Sequence, residues 1–206
     1  MQKPYVIGIS GGSGSGKSTI VKMVCDSFSS KEVCLLTQDD FYFPKKQQAI
    51  DDNGITDFDR INSIDHDSFH DRLLDLIHGK TIELKEYVFN NDKAKAKMKS
   101  ISSAPIIIAE GLFVFSSEKV KSLLNLTIFI DTTDVKKVIR RIQRDQRERN
   151  YPLDDVLYRY EHHVLPSYER HIAPHKNSVD LVINNNSDVK NGVKILTKLI
   201  KGQMSI

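Results

Sequence analysis

Short apolar runs alternate along this chain with longer stretches in which apolar residues recur every three or four positions. That is the pattern of βαβ units laid on a parallel sheet. Tyr5–Ser10, Val33–Thr37, Pro105–Ala109, Leu126–Ile130 and Val179–Ile183 are short, apolar and rich in β-branched residues, and they read as five buried strands. Helical periodicity falls at about Lys17–Ser27, His66–Ile77, Ser117–Leu124, Thr133–Arg149, Leu153–Arg170 and Asp188–Ile200. The prediction is an α/β fold with a doubly wound, mostly parallel five-stranded sheet, formed by residues 1–206 as a single domain.

One stretch breaks the alternation. Thr81–Phe89 and Lys93–Lys99 alternate with period two around Asn90-Asn91-Asp92, which predicts a β-hairpin projecting from the sheet over about 81–100. Ala and Lys also favour helix, so a short helix competes for the second arm. Residues 43–62, with Lys45-Lys-Gln-Gln48 and Asp51-Asp-Asn-Gly54, read as a long mobile loop.

Composition narrows the class. Lys and Arg total 30 against 27 Asp and Glu, a net charge of +3, which permits an anionic ligand without requiring nucleic acid. Cys25 and Cys34 have no CxxC spacing and no histidine cluster, so a disulfide scaffold or structural zinc is not expected. No segment approaches the ~18 uninterrupted apolar residues of a membrane span, and the N-terminus runs straight into a strand; the expectation is a cytoplasmic protein.

Gly11-Gly12-Ser13-Gly14-Ser15-Gly16-Lys17-Ser18, followed by Thr19, matches GxxxxGK[ST] in full, between a buried strand and a helix. Such glycines let backbone N–H groups turn inward around phosphate oxygens, and the helix N-terminus adds its positive end. Lys17 then reaches the β- and γ-phosphates and the Ser18 hydroxyl suits Mg²⁺. The competing account, a flexible Gly/Ser turn, does not need this strand–helix context. A dinucleotide GxGxxG is absent, because Lys17 stands where the third glycine would fall, so the expected ligand is ATP or GTP. No NKxD guanine-reading motif follows a late strand; Asn184-Asn-Asn-Ser-Asp188 is not that pattern.

A small-molecule kinase needs an acceptor carboxylate, a metal carboxylate and arginines that neutralise transition-state charge. Gln38-Asp39-Asp40-Phe41-Tyr42 follows the second strand, on the rim of the phosphate loop, and makes Asp39 the candidate base; a turn or helix cap is the bland alternative. Glu110 ends the third strand, where it can serve a metal directly or through water, or simply be solvated. Thr133–Arg149 places Val135, Val138, Ile139 and Ile142 on one face, and most of its charges read as a solvated face. At its far end, Arg144 and Arg149 are placed to close over phosphates as part of a lid over about 140–155. A basic patch for nucleic acid is the rival reading, and it lacks interleaved aromatics.

Taken together these pieces resemble the uridine kinase (uridine–cytidine kinase) family of phosphate-loop kinases. The matching pieces are Ile9–Thr19, Gln38–Tyr42, Ile64-Asp65-His66 with Phe69, Tyr87–Phe89, Ile108–Gly111, Ile130–Thr132, Arg140–Asp145 through Arg149, and Pro166–Asp180. The resemblance implies phosphorylation of the 5′-hydroxyl of uridine or cytidine by ATP or GTP with Mg²⁺, and a tetramer. It assigns catalysis to Asp39, Lys17, Arg144 and Arg149, and metal binding to Ser18, Asp39 and Glu110. Substrate binding would fall to Tyr42, Asp65, Tyr87, Phe89 and Arg141. The chain departs from the family where the acceptor is chosen: near Asn91-Asp92 in place of a hairpin histidine, at Tyr151 in place of an arginine, at Arg159 in place of a glutamine, and at Asp67 in place of a proline. A related kinase acting on nicotinamide riboside, a sugar phosphate or pantothenate, and a non-catalytic nucleotide-binding regulator, remain the alternatives.

Overall fold

The computed structural model describes residues 3–89 and 96–204. Its central sheet joins β1 (Tyr5–Ser10), β2 (Val33–Thr37), β7 (Ile106–Glu110), β8 (Leu126–Asp131) and β9 (Leu181–Asn184) in the order β2-β7-β1-β8-β9. Every pairing in it is parallel. A parallel sheet is covered on both faces, and this one shows it along single strands. Val6, Ile107 and Ala109 belong to one core with Phe69, Leu73 and Phe113, while Ile7, Ile9, Ile106 and Ile108 belong to the other with Ile20, Val24 and Leu196. Helices α1 (Lys17–Cys25) and α7 (Val189–Met204) pack together on the second face, and α2 (His66–Ile77) covers the first.

The smaller elements fall around this frame. A short hairpin, β3 (Ala49–Ile50) with β4 (Thr56–Asp57), occupies the stretch expected to be a mobile loop. A second hairpin pairs β5 (Thr81–Lys85) with β6 (Met98–Ser102), burying Ile82 and Leu84. Its register sets Ile82 opposite Ile101. The expected turn at Asn90–Asp92, with Lys93, lies outside the described residues.

After β7 come α3 (Glu118–Lys121), α4 (Asp134–Arg149), α5 (Leu153–Arg159) and α6 (Leu165–His171). The single helix expected over Leu153–Arg170 is instead α5 and α6 joined by a π-helical turn at Tyr160–Val164. Pro166, near the start of α6, offers no N–H and its ring crowds the preceding turn, so the regular ladder cannot run through.

Helix α4 overturns the sequence expectation more sharply. Of the four apolar residues that share a face, Val135 and Ile139 are 69% and 48% exposed while Val138 and Ile142 are partly buried, whereas Lys137, Arg141 and Asp145 are 3%, 5% and 1% exposed. The helix is turned by its charges: Lys137 pairs with Asp134 at 2.7 Å and sits 3.6 Å from the centre of the Tyr168 ring, and Arg141 lies between Asp59 and Asp145. Buried charges are tolerated where each is paired.

Candidate active site

The loops that leave the carboxyl ends of β1, β2, β7, β8 and β9 meet on one rim of the sheet. Ligands bind at this edge of open α/β sheets. A cleft of about 420 Å³ opens there, lined by Gly12–Thr19, Asp39, Tyr42, Phe58, Asp59, Phe89 and the arginines of α4.

The phosphate loop is shaped from behind as well as by its own glycines. Gly14 and Gly16 have φ of 80° and 86°, and a Cβ on Gly14 would stand 2.3 Å from the Lys137 carbonyl oxygen. The Ser15 carbonyl accepts hydrogen bonds from Thr132 Oγ1 (3.0 Å), Asn185 Nδ2 (2.8 Å) and Arg140 Nη1 (3.3 Å). These donors come from the ends of β8 and β9 and from α4, and they hold that carbonyl away from the cleft, on the protein side of the loop.

Lys17 opens α1 and its ammonium is buried against Glu110 Oε2, while Glu110 Oε1 accepts from Thr37 Oγ1 at 2.7 Å. Asp39 follows Thr37 in a 3₁₀ turn over Gln38–Phe41, with its N–H 3.3 Å from Thr37 Oγ1. Burial, reinforced by the Glu110 carboxylate, raises the Asp39 pKa against the opposing pull of Lys17, Arg149 and Arg144. A carboxylate pushed up in this way, in a cleft beside a phosphate loop, is poised to take a proton. Its neighbour Asp40 does something else: it receives Lys99 Nζ at 3.0 Å on both oxygens and the Tyr87 N–H at 3.3 Å, tying the β5–β6 hairpin to the rim.

That tie places the aromatic residues. Tyr42, Tyr87 and Phe89 form a cluster with ring centres 4.7–5.4 Å apart, and Phe58 joins Tyr42 at 6.4 Å. The Arg149 guanidinium lies 4.3 Å from the Phe89 ring centre, joining lid and hairpin. Tyr42 itself is held un-ionised by burial and by the Asp39 and Asp59 carboxylates.

Most residues expected at the site are brought together: the phosphate loop, Asp39, Tyr42, Phe89, Arg141, Arg144 and Arg149 line the cleft, Glu110 reaches it through Lys17, and Tyr87 through Tyr42. Asp65 is not. Its Oδ1 accepts the Ser68 N–H at 2.9 Å and caps α2. An aspartate of this region that does line the cleft is Asp59, six residues earlier, paired to Arg141 at 3.2 and 3.3 Å, while Arg141 also donates to Ser13 Oγ at 3.0 Å. Arg141 therefore joins three segments of the site through Nη1 and Nη2, while its buried Nε makes no hydrogen bond among the described residues. Sequence reasoning also missed Thr132, Asn185 and Asp145. The Asn184–Asn186 run at a strand's carboxyl end was the available sign for Asn185.

Two positions where the sequence departs from the resemblance meet here. The Arg159 guanidinium lies 4.9 Å from the Tyr151 ring centre and donates to the Thr56 carbonyl at 2.6 Å. Residues 51–57 are held further by Asp51, whose carboxylate takes His163 Nε2 and Tyr158 OH, each at 2.8 Å.

The Phosphoribulokinase / Uridine kinase family profile matches residues 6–191. The chain belongs to that family. It is 32% identical over 205 residues to a uridine kinase of Clostridium novyi (strain NT), covering 100% of this chain and 99% of that one. It is also 32% identical over 201 residues to uridine-cytidine kinase A of Dictyostelium discoideum, covering 98% of this chain and 40% of that larger protein. Among solved structures, a "possible uridine kinase" from Bacillus stearothermophilus superposes with a TM-score of 0.59 at 17% identity, covering 89% and 90% of the two chains. TT1252 from Thermus thermophilus does so at 0.54 and 15%, covering 98% of each. These last two carry the fold alone. Family membership makes the chain a kinase, a phosphotransferase with an alcohol group as acceptor. No described helix is long and apolar enough to cross a membrane.

Proposed function

We propose that this kinase transfers the γ-phosphoryl group of ATP or GTP to the 5′-hydroxyl of uridine or cytidine. The observation that carries the reading is the placement of Asp39 between the phosphate loop and an aromatic wall of Tyr42, Phe58 and Phe89 in one cleft. An aromatic wall suits a flat base, and Asp59, rather than Asp65, offers its carboxylate to the acceptor's vicinal hydroxyls.

In this account the loop N–H groups and Lys17 hold the β- and γ-phosphates. Asp39 accepts the proton of the 5′-hydroxyl as its oxygen bonds to the γ-phosphorus and the bond to the β-phosphate oxygen breaks, releasing the nucleoside diphosphate. Arg144 and Arg149 receive the charge that spreads over the transferred group. Ser18 with the Asp39 and Glu110 carboxylates is a set of hard oxygen donors that fits Mg²⁺, Glu110 acting through water because Lys17 and Thr37 occupy its oxygens. When bound, the ion neutralises phosphate charge.

Purified protein with ATP and Mg²⁺ tests this through ADP release over uridine, cytidine, nicotinamide riboside, pantothenate and ribulose 5-phosphate. The reading requires strong stimulation by uridine or cytidine. Silence with both and turnover with another acceptor overturns the substrate assignment.

A further inference from the structure

Behind the arginines of the lid stands a single carboxylate to which the reaction chemistry assigns nothing. Asp145 is buried within α4, and three guanidiniums converge on it: Arg144 Nε at 2.8 Å, Arg141 Nε at 3.1 Å and Arg149 Nη1 at 3.4 Å. Arg141 and Arg149 lie one helical turn to either side, so the convergence is built into the sequence spacing. Burial alone would raise the Asp145 pKa; the charges of Arg144, Arg141 and Arg149 outweigh it and hold the carboxyl ionised, below its ordinary range.

The direction of the grip matters. Arg144 is held by its inner edge, through Nε, and it lines the cleft. Among the described residues its two Nη groups make no hydrogen bond. A guanidinium is a rigid planar fork, so fixing Nε fixes where the Nη donors point. Arg141 differs: its Nε lies 3.1 Å from Asp145 without making a hydrogen bond, while Nη1 and Nη2 hold Asp59. Without Asp145, like charges would crowd one end of α4 with no shared counterion. Burial and the Arg144 charge already lower the Arg149 pKa, a direct sign of that crowding.

We propose that Asp145 is a positioning residue of the transfer reaction, which orients Arg144 and Arg149 toward the transferred phosphoryl group without touching it. The proposal rests on the kinase reading above. Positioned charge contributes far more to a transition state than mobile charge, because no reorganisation is needed as the bond breaks. The signature expected of Asp145 is a loss in kcat with little change in nucleotide KM.

The test compares wild type, Asp145→Asn, Arg144→Ala and the double variant, with ATP and the acceptor that the wild type uses. Expected is a fall in kcat of about 10–100-fold in Asp145→Asn, as for other residues that orient a reacting group, with KM for ATP within about 3-fold. In the Arg144→Ala background the same substitution should cost clearly less than it does in wild type, since only the route through Arg149 is left. Thermal midpoints are recorded in parallel, and if Asp145→Asn does not fold, Asp145→Glu, which keeps the charge and moves it by one methylene, is read by the same coupling criterion. A kcat within about 3-fold of wild type, or losses that simply multiply in the double variant, overturns the proposal. A wild type that no acceptor stimulates overturns the kinase reading instead, before any variant is compared.

Discussion

Glu110→Gln separates what this carboxylate does for the fold from what it does for the chemistry. In the structure it is the counterion of Lys17, with the two side chains only 5% and 7% exposed, and its other oxygen takes Thr37 Oγ1. Glutamine keeps the shape and the Thr37 contact but leaves a buried ammonium without its partner. Breaking a buried pair by removing one member costs about 3–5 kcal/mol. Asp39 lies close enough to Lys17 to take up part of that charge, which places the expectation toward the lower end. For a chain of this size each kcal/mol moves the midpoint by about 2–4 °C, so a fall of roughly 6–12 °C is expected from a loss of about 3 kcal/mol. Nucleotide phosphates supply the missing counter-charge. The thermal shift produced by saturating ATP without metal should therefore be larger in Glu110→Gln than in wild type. The assay is a melting curve with and without ATP. A variant that melts within about 2 °C of wild type, or that gains no extra protection from ATP, refutes the claim that Glu110 is the resting partner of Lys17.

Other expectations follow from the same geometry. Asp39→Asn should lower kcat by about 10²–10⁴-fold, the usual worth of a positioned general base, while leaving ATP binding by titration calorimetry nearly unchanged; loss of ATP binding would move Asp39 to the nucleotide side. Because the Asp39 pKa is raised by burial and by Glu110, the base is protonated as pH falls. The acid limb of kcat/KM should thus lie above the ordinary carboxylate value of about 4, and a limb at or below that value refutes the assignment. A raised folded-state pKa also means that the ionised group opposes folding once pH exceeds that pKa, so Asp39→Asn should melt higher than wild type at pH 7 but not near pH 3. Asp59→Asn should raise acceptor KM and also lower the thermal midpoint, because the buried Arg141 keeps only Asp145 as counterion, whereas Asp65→Ala should cost about 0.5–2 kcal/mol in a denaturant titration, as a lost helix cap does, with KM unchanged; a raised acceptor KM in Asp65→Ala alone would return Asp65 to the site.

The fold was legible because its signals are local. Each strand of the central sheet is a short, mainly apolar run, and β1, β2 and α2 fall on the residues predicted for them. The phosphate loop was legible for a similar reason, since its glycines, lysine and serine are contiguous. What sequence could not show was which partner a charge would find. Helix α4 carries an apolar stripe, yet it buries Lys137, Arg141 and Asp145, because Asp59 and the Tyr168 ring await them from distant parts of the chain and Asp134 pairs with Lys137 from the same helix. Asp59 and Asp65 are both aspartates near the same helix start. Only the fold shows that Asp65 caps α2 through the Ser68 N–H while Asp59 lines the cleft. The stretch over 43–62 looked loose because its order comes from outside it, from His163 and Tyr158 on Asp51 and from Arg159 on the Thr56 carbonyl. The π-helical turn that holds His163 likewise follows from Pro166, a residue that the helical periodicity alone does not penalise.

The most direct measurement follows the phosphoryl group itself. γ-Labelled ATP, Mg²⁺ and uridine are incubated with the purified protein and the labelled product is identified by mass and by its position on the ribose. The account predicts label on the 5′-oxygen of uridine, forming in step with ADP and absent from Asp39→Asn. Label that appears only as inorganic phosphate, at the same rate with and without nucleoside, would contradict it.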